Sequence, residues 1–126
     1  MSFEVGVVGS FTARHHLVGD FGPASADHGH TYAVEASVVG GTLKADGTLF
    51  DITVLQKAMD ATLADLHDRD LNTIDGLVSP NPTAEVVARF FFNRIAPALS
   101  QQGLTELRTR VWESKDAFGG YSDALT

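Results

Sequence analysis

The chain has 126 residues, 44% of them hydrophobic and 20% charged, which is the composition of an ordinary globular protein and a length suited to one domain, residues 1–126, around one core. Sixteen acidic residues against nine basic ones leave a net charge of -7, and no basic run offers a footprint for a phosphate backbone, so nucleic acid is excluded as a partner. The absence of cysteine excludes disulfides and thiolate metal sites, leaving imidazole and carboxylate as the strong metal ligands available.

The N-terminus, MSFEVGVVGS, has neither the positive region nor the long apolar run of a signal peptide, and apolar stretches elsewhere are short. The expectation is a soluble, cytoplasmic protein without a membrane partner. From Phe3 to His15 the odd positions Phe3, Val5, Val7, Phe11, Ala13 and His15 are mostly apolar, a period of two that predicts a strand with one buried face. The run LVGDFGPASAD, Leu17 to Asp27, reads as a loop. Strand character resumes at His30, with Tyr32, Val34, Ala36 and Val38 on one face and Glu35 and Ser37 on the other, and GGTLKADG follows as a hairpin-like connection.

At Asp51, a natural N-cap, the period changes: Ile52, Leu55, Met59, Leu63 and Leu66 have the spacing of an amphipathic helix. A polar loop leads to Asn81-Pro82 and a second helix, whose Val86, Val87, Phe90, Phe91, Ile95 and Leu99 face a core. Pro82 suits its first turn, and Glu85 complements the helix dipole. In LTELRTRVWES, Leu107, Thr109, Val111 and Glu113 alternate with Arg108, Arg110 and Trp112, and a short last strand is expected around Tyr121. The order strand, strand, helix, helix, strand, strand predicts an α+β fold with an antiparallel sheet covered by helices on one face.

The chain has five histidines, and two of them lie in DHGHTY, Asp27 to Tyr32. In a strand, residues two apart point the same way, so His28 and His30 present two imidazoles on one face, with Gly29 between them. His15 ends the buried-face register of the first strand, and antiparallel pairing can bring it to the other two. Three neutral imidazoles with one open position make the catalytic type of zinc site. His16 faces the opposite way.

Six motifs in order, F-T-A-R-H (Phe11 to His15), D-H-G-H-T-Y (Asp27 to Tyr32), D-G-T-L-F-D-I (Asp46 to Ile52), D-L-N (Asp70 to Asn72), N-P-T-A-E (Asn81 to Glu85) and W-E-S (Trp112 to Ser114), span nearly the whole chain. Together they resemble the 6-pyruvoyl-tetrahydropterin synthase and 6-carboxy-tetrahydropterin synthase family. The resemblance implies a tunnelling fold, in which a four-stranded antiparallel sheet with two helices joins its copies in a barrel, usually as a hexamer of two trimers. It implies zinc held by His15, His28 and His30. It also implies that Glu113 anchors a pterin ring, whose adjacent N–H donors suit the two oxygens of a carboxylate. The strand pattern agrees, because Glu113 falls on the face of Leu107, Thr109 and Val111. Thr83 and Glu85 match a T-x-E run that the family places near the pterin pocket and a subunit boundary; both are also first-turn residues of the second helix.

Two departures bear on chemistry. The family has a cysteine base four residues before the first histidine of H-G-H, and here that position is Ala24, whose methyl group cannot titrate. Ser25 is no simple substitute, because its hydroxyl needs a base of its own. The Asp-His pair that the family places before L-N is inverted here to His67 and Asp68, and neighbours on a helix point about 100 degrees apart. The candidate bases are therefore His67, Asp68, Asp27 and Asp70. The expected function is that of a zinc-dependent enzyme acting on 7,8-dihydroneopterin triphosphate or a related dihydropterin with a non-cysteine base. Triphosphate elimination, side-chain cleavage and the route toward 6-carboxy-tetrahydropterin and 7-deazapurines are the outcomes open to it. The alternative is a pterin-binding homologue without turnover that retains zinc and pocket.

Overall fold

A computed structural model describes residues 1–99 and 103–125. In chain order its elements are β1 (Phe3–His15), β2 (His28–Gly40), α1 (Ile52–Leu66), β3 (Arg69–Asp70), α2 (Ala84–Ile95), β4 (Glu106–Ser114) and β5 (Ala117–Ala124). They form one sheet in the order β3-β1-β2-β4-β5, with both helices against one face. The four long strands are antiparallel; only the two-residue β3 is parallel, pairing Arg69 and Asp70 with Ala13 and Arg14. No hydrophobic period announces β3, because both of its residues are exposed.

β1 and β2 pair along their full length, from Phe3 opposite Gly40 to His15 opposite His28. Alternation assigns the faces. Val7, Phe11, Ala13 and His15 of β1 and Tyr32, Val34, Ala36 and Val38 of β2 are buried beneath the helices. In β4 the same face carries Leu107, Thr109 and Val111, all buried, and then Glu113.

The helices begin where their caps are. The Asp51 carboxylate accepts from the Thr53 backbone N–H at 3.0 Å, and Thr83 Oγ1 accepts from the Val86 N–H at 3.3 Å, each satisfying a donor that a helix start leaves open. α1 buries Leu55, Met59 and Leu66, whereas Ile52, expected to face the core, is 40% exposed at the first position. α2 buries Val87, Phe90, Phe91 and Ile95, and Leu99 reaches the same core from a 3-10 turn, Ala96–Leu99. Two glycines permit the close approach of helix to sheet. A Cβ on Gly9 would lie 2.5 Å from Leu63 Cδ1, and one on Gly119 would lie 2.7 Å from the Glu85 backbone nitrogen.

Two local expectations change. Pro82 precedes the cap Thr83 and so lies outside the first turn of α2. GGTLKADG does form a tight turn, with Lys44 N–H donating to the Thr48 carbonyl at 2.8 Å, but it leads from β2 into α1 and does not join two strands.

Candidate metal centre

The strand register brings three histidines to one end of the sheet. His15 stands opposite His28, and His30 stands opposite Ala13 one step inward on the same face. The ring centroids are 4.5 Å apart for His15 and His28, 5.1 Å for His15 and His30, and 4.8 Å for His28 and His30. One ring nitrogen from each lies within 4.8 Å of the others. His15 is buried and the other two are half-buried, so the cluster is closed on the core side and open on the other.

Two rings are fixed by carbonyls. His15 Nδ1 is 2.8 Å from the Pro82 carbonyl oxygen and His28 Nδ1 is 2.7 Å from that of Ala26. A carbonyl only accepts, so in the neutral ring each Nδ1 donates its proton and each Nε2 presents a lone pair, the arrangement typical of metal-ligating histidine. Burial lowers the His15 pKa, the nearby His28 and His30 add to that, and the Pro82 bond and the Glu113 charge oppose it. The neutral ring, which is the ligating form, is therefore favoured. A donor set of imidazoles with no thiolate fits a divalent ion of the zinc type, so these residues could hold a metal.

Beside the cluster lie Tyr32 and Glu113. Tyr32 follows His28 and His30 on the same face, its ring stacked on Phe11 at 4.7 Å and edge-on to His30 at 5.4 Å. The β2–β4 pairing runs to Ala33 opposite Trp112, so the next residues along that ladder are Tyr32 and Glu113. Against β5, β4 carries a β-bulge between Trp112 and Ser114, which makes Glu113 the unpaired residue on that side. Its half-buried carboxylate is near enough for its charge to act on both the Tyr32 hydroxyl and the His15 ring. Among the described residues, the Tyr32 hydroxyl is the buried side-chain polar atom without a hydrogen-bond partner, and burial pushes its pKa up.

The chain after β1 is held by two asparagines. Asn72 Oδ1 accepts from the His16 N–H at 2.9 Å while its Nδ2 donates to the His16 carbonyl at 3.0 Å. Asn81 grips Val18 in the same two-bond way, at 2.8 and 3.1 Å. Ala24 sits in a 3-10 turn, Gly22–Ser25, and its carbonyl accepts from the Leu17 N–H at 2.9 Å. Ser25 Oγ accepts from the Phe21 N–H at 3.2 Å and donates to the Gly19 carbonyl at 2.8 Å, so it braces this loop.

The proton-transfer candidates are each engaged by near neighbours. Asp27 is ion-paired with Arg14, whose guanidinium holds its carboxyl below the usual range. Asp70 caps the turn Leu71–Thr73 by accepting from the Asn72 N–H at 3.0 Å. His67 Nδ1 accepts from the Thr12 N–H at 3.1 Å on the outer edge of β1, and its Nε2 lies 3.4 Å from the Asp68 carboxylate. The inverted pair thus makes a local contact after all, aided by a left-handed backbone at Asp68, φ 60°, which turns the chain sharply. Thr83 is the α2 cap, and Glu85 is exposed in the first turn. Sequence reasoning gave no role at the site to Pro82, Ala26, Asn72, Asn81 or the Tyr32 hydroxyl, although all but Ala26 lie in the motifs that carry the family resemblance.

Comparison with known proteins accords with this geometry. A family profile described as 6-pyruvoyl tetrahydropterin synthase matches residues 4–123. The chain is 36% identical over 90 residues to a dihydroneopterin monophosphate aldolase of Pyrococcus furiosus, an alignment covering 71% of this chain and 72% of the aldolase. It is 33% identical over 99 residues to the 6-carboxy-5,6,7,8-tetrahydropterin synthase of Bacillus subtilis, covering 75% of this chain and 66% of that protein. The 6-pyruvoyl tetrahydropterin synthase of Caenorhabditis elegans has the same fold, with a TM-score of 0.81 at 23% identity, over 98% of this chain and 96% of that one. A profile that spans almost the entire chain, together with relatives above 30% identity, settles the lineage: the chain belongs to the 6-pyruvoyl tetrahydropterin synthase family.

Proposed function

We propose that the chain is a zinc-dependent, lyase-type enzyme acting in the cytoplasm on 7,8-dihydroneopterin triphosphate or a related dihydropterin, with a base other than cysteine. The observation that carries this is the meeting of His15, His28 and His30, two with Nε2 freed by carbonyl bonds, beside the carboxylate of Glu113. Zinc held there would supply Lewis acidity, favouring ionisation of side-chain hydroxyls and stabilising negative charge on an adjoining oxygen. Glu113 accepts two parallel N–H bonds from the pterin and orients the substrate's side chain toward the histidines. The two relatives above 30% identity suggest two outcomes, cleavage of the side chain or formation of a 6-carboxy-tetrahydropterin on the way to 7-deazapurines.

Either reaction needs a proton acceptor. Asp27 is committed to Arg14 and Asp70 to its turn, so on this reading the remaining two candidates, His67 and Asp68, are the base pair. Nδ1 accepts from the Thr12 N–H, so the neutral ring carries its proton on Nε2, toward the Asp68 carboxylate; the pair takes up a proton at Asp68, or at His67 once the Thr12 bond opens. Thr12, which holds His67, is three residues from His15 along β1, about 10 Å at the strand repeat, so on this reading the pair serves the triad of another copy. The outer edges of β1 and β5 are unpaired along most of their length among the described residues, and open edges favour strand pairing with further copies. A hexamer of two trimers, with Thr83 and Glu85 near the boundary, would bring the base of one copy toward the triad of another.

The test is to incubate zinc-loaded protein with 7,8-dihydroneopterin triphosphate and follow products by mass spectrometry, with His28→Ala as control. Product formed by the parent and absent in the control supports the enzyme, and its mass identifies the reaction. Ala24 favours a second reading, a pterin binder without turnover; ligand binding with no product from any dihydropterin would replace the first reading with this one.

A further inference from the structure

The Tyr32 hydroxyl is out of place as a packing group. The residue is 0% exposed, its ring stacks on Phe11 with an interplanar angle of 11°, and a phenylalanine would fill the same space without burying a hydroxyl. Buried hydroxyls are normally partnered, yet among the described residues this one is the buried side-chain polar atom that is not. Thr109, buried on the same face, shows the ordinary case: its hydroxyl donates to the Ala88 carbonyl at 2.7 Å.

What lies beside the hydroxyl is an acceptor with capacity to spare. Phe11, Tyr32 and Glu113 form one lateral row across β1, β2 and β4 on the helix-side face, adjoining the row that holds His30. An ionised carboxylate offers roughly four lone-pair directions, and a forked pair of ligand N–H groups uses two of them. The hydroxyl oxygen is inaccessible to solvent, so a bond from it would use a carboxylate lone pair that no ligand N–H takes. We propose that Tyr32 is a positioning residue whose hydroxyl donates to the Glu113 carboxylate when ligand is bound, fixing the rotation at which both oxygens face the ligand. This rests on the assignment of Glu113 as the pterin anchor.

In this arrangement the hydroxyl is unpaired in the free protein and gains its partner only in the complex. Tyr32→Phe therefore leaves the ligand-free protein as stable as the parent or slightly more so, and leaves metal affinity unchanged. Its effect falls on ligand binding, where loss of one hydrogen bond to a charged acceptor weakens affinity about tenfold. The experiment measures dissociation constants for 7,8-dihydroneopterin with the full zinc-loaded chain as parent, Tyr32→Phe, Glu113→Gln and the double variant, alongside ligand-free melting temperatures and zinc titrations. The proposal expects Tyr32→Phe to cost about tenfold in the parent and much less in the Glu113→Gln background, because the pair acts as a unit. Equal affinity of parent and Tyr32→Phe overturns it, as does a tenfold loss that persists without the Glu113 carboxylate. A lowered melting temperature in Tyr32→Phe also overturns it, since that marks a structural hydroxyl. If the parent itself binds no dihydropterin, or Glu113→Gln binds as well as the parent, the anchor assignment fails first and the proposal falls with it.

Discussion

The histidine end of the sheet and the loops around it hold titratable groups in opposite ways. His15, His28 and His30 stand on paired strands, and for two of them the backbone takes the nitrogen that a metal does not need. The candidate acids and His67 stand at loops and element ends and are already engaged: Asp27 with Arg14, Asp70 with the Asn72 N–H, His67 with the Thr12 N–H. On the proposed function, the groups that would hold an ion are set by strand register, which leaves little freedom, and those that would exchange protons are placed by individual hydrogen bonds. On that reading, the alanine at position 24, where the family resemblance implies a cysteine, falls in the adaptable part of the protein, and the histidine triad does not depend on it.

The strongest way to break this contrast is to remove a strand ligand. His15→Ala and His30→Ala should each lower zinc affinity by more than the about 10–100-fold that outer-shell partners are worth, and zinc should no longer raise the melting temperature. Competition against a chromophoric chelator measures the first and a thermal melt the second. A triad that is merely packed histidine would show neither change.

Next in size is the proton-transfer group. His67→Gln should lower the rate of product formation by about 10²-fold or more, with zinc and pterin binding retained. Asp27→Asn should stay within about threefold of the parent, because its carboxylate is tied to Arg14 outside the triad. The reverse ranking, from single-turnover rates at matched metal loading, would move the base to Asp27 and dissolve the contrast drawn above.

What the sequence disclosed follows the same division. The period of two in β1 and β2 implied that His15, His28 and His30 share a face, and Glu113 was legible as the fourth step after Leu107, Thr109 and Val111. Helix spacing and Asp51 located the start of α1. The start of α2 was misjudged because Asn81, Pro82 and Thr83 all signal a helix N-terminus. Thr83 takes the cap through Val86, which leaves the Asn81 amide for Val18 and the Pro82 carbonyl for His15. No pattern encodes that choice, since it depends on a loop sixty residues away in sequence. β3 escaped for a similar reason, being two exposed residues that pair with β1 only because α1 ends beside it.

That loop clamp offers a smaller test. Asn72→Ala leaves a half-buried N–H and carbonyl of His16 without partners and should cost about 1–3 kcal/mol, whereas Asn81→Ala, which frees the exposed Val18 backbone to meet water, should cost less. Urea unfolding of the metal-free variants gives both values. The Asn72 variant should also bind zinc more weakly, since His15 immediately precedes the clamped residue; full zinc affinity would show that strand pairing alone holds the triad.

The smallest effect is a pH dependence with a definite sign. Burial lowers the His15 pKa in the folded protein below its ordinary value of 6.5, so between those two values the unfolded chain binds more protons than the folded one. Stability of the metal-free protein is therefore full above about pH 6.5 and declines as the pH falls through the window beneath it. The lowered carboxyls of Asp27, Asp46 and Asp51, held by Arg14, Thr48 and Thr53, act only as the pH falls below their ordinary 3.8, so the two windows are separable. In a series of denaturant melts from pH 8 to 5, His15→Gln should flatten the slope while Asp27→Asn leaves it in place. Zinc should make the parent's slope steeper, because protons and metal compete for the same Nε2 atoms. A parent slope unaltered by His15→Gln would mean that this ring binds protons equally in the folded and unfolded chain, and that burial does not hold it neutral in advance of the metal.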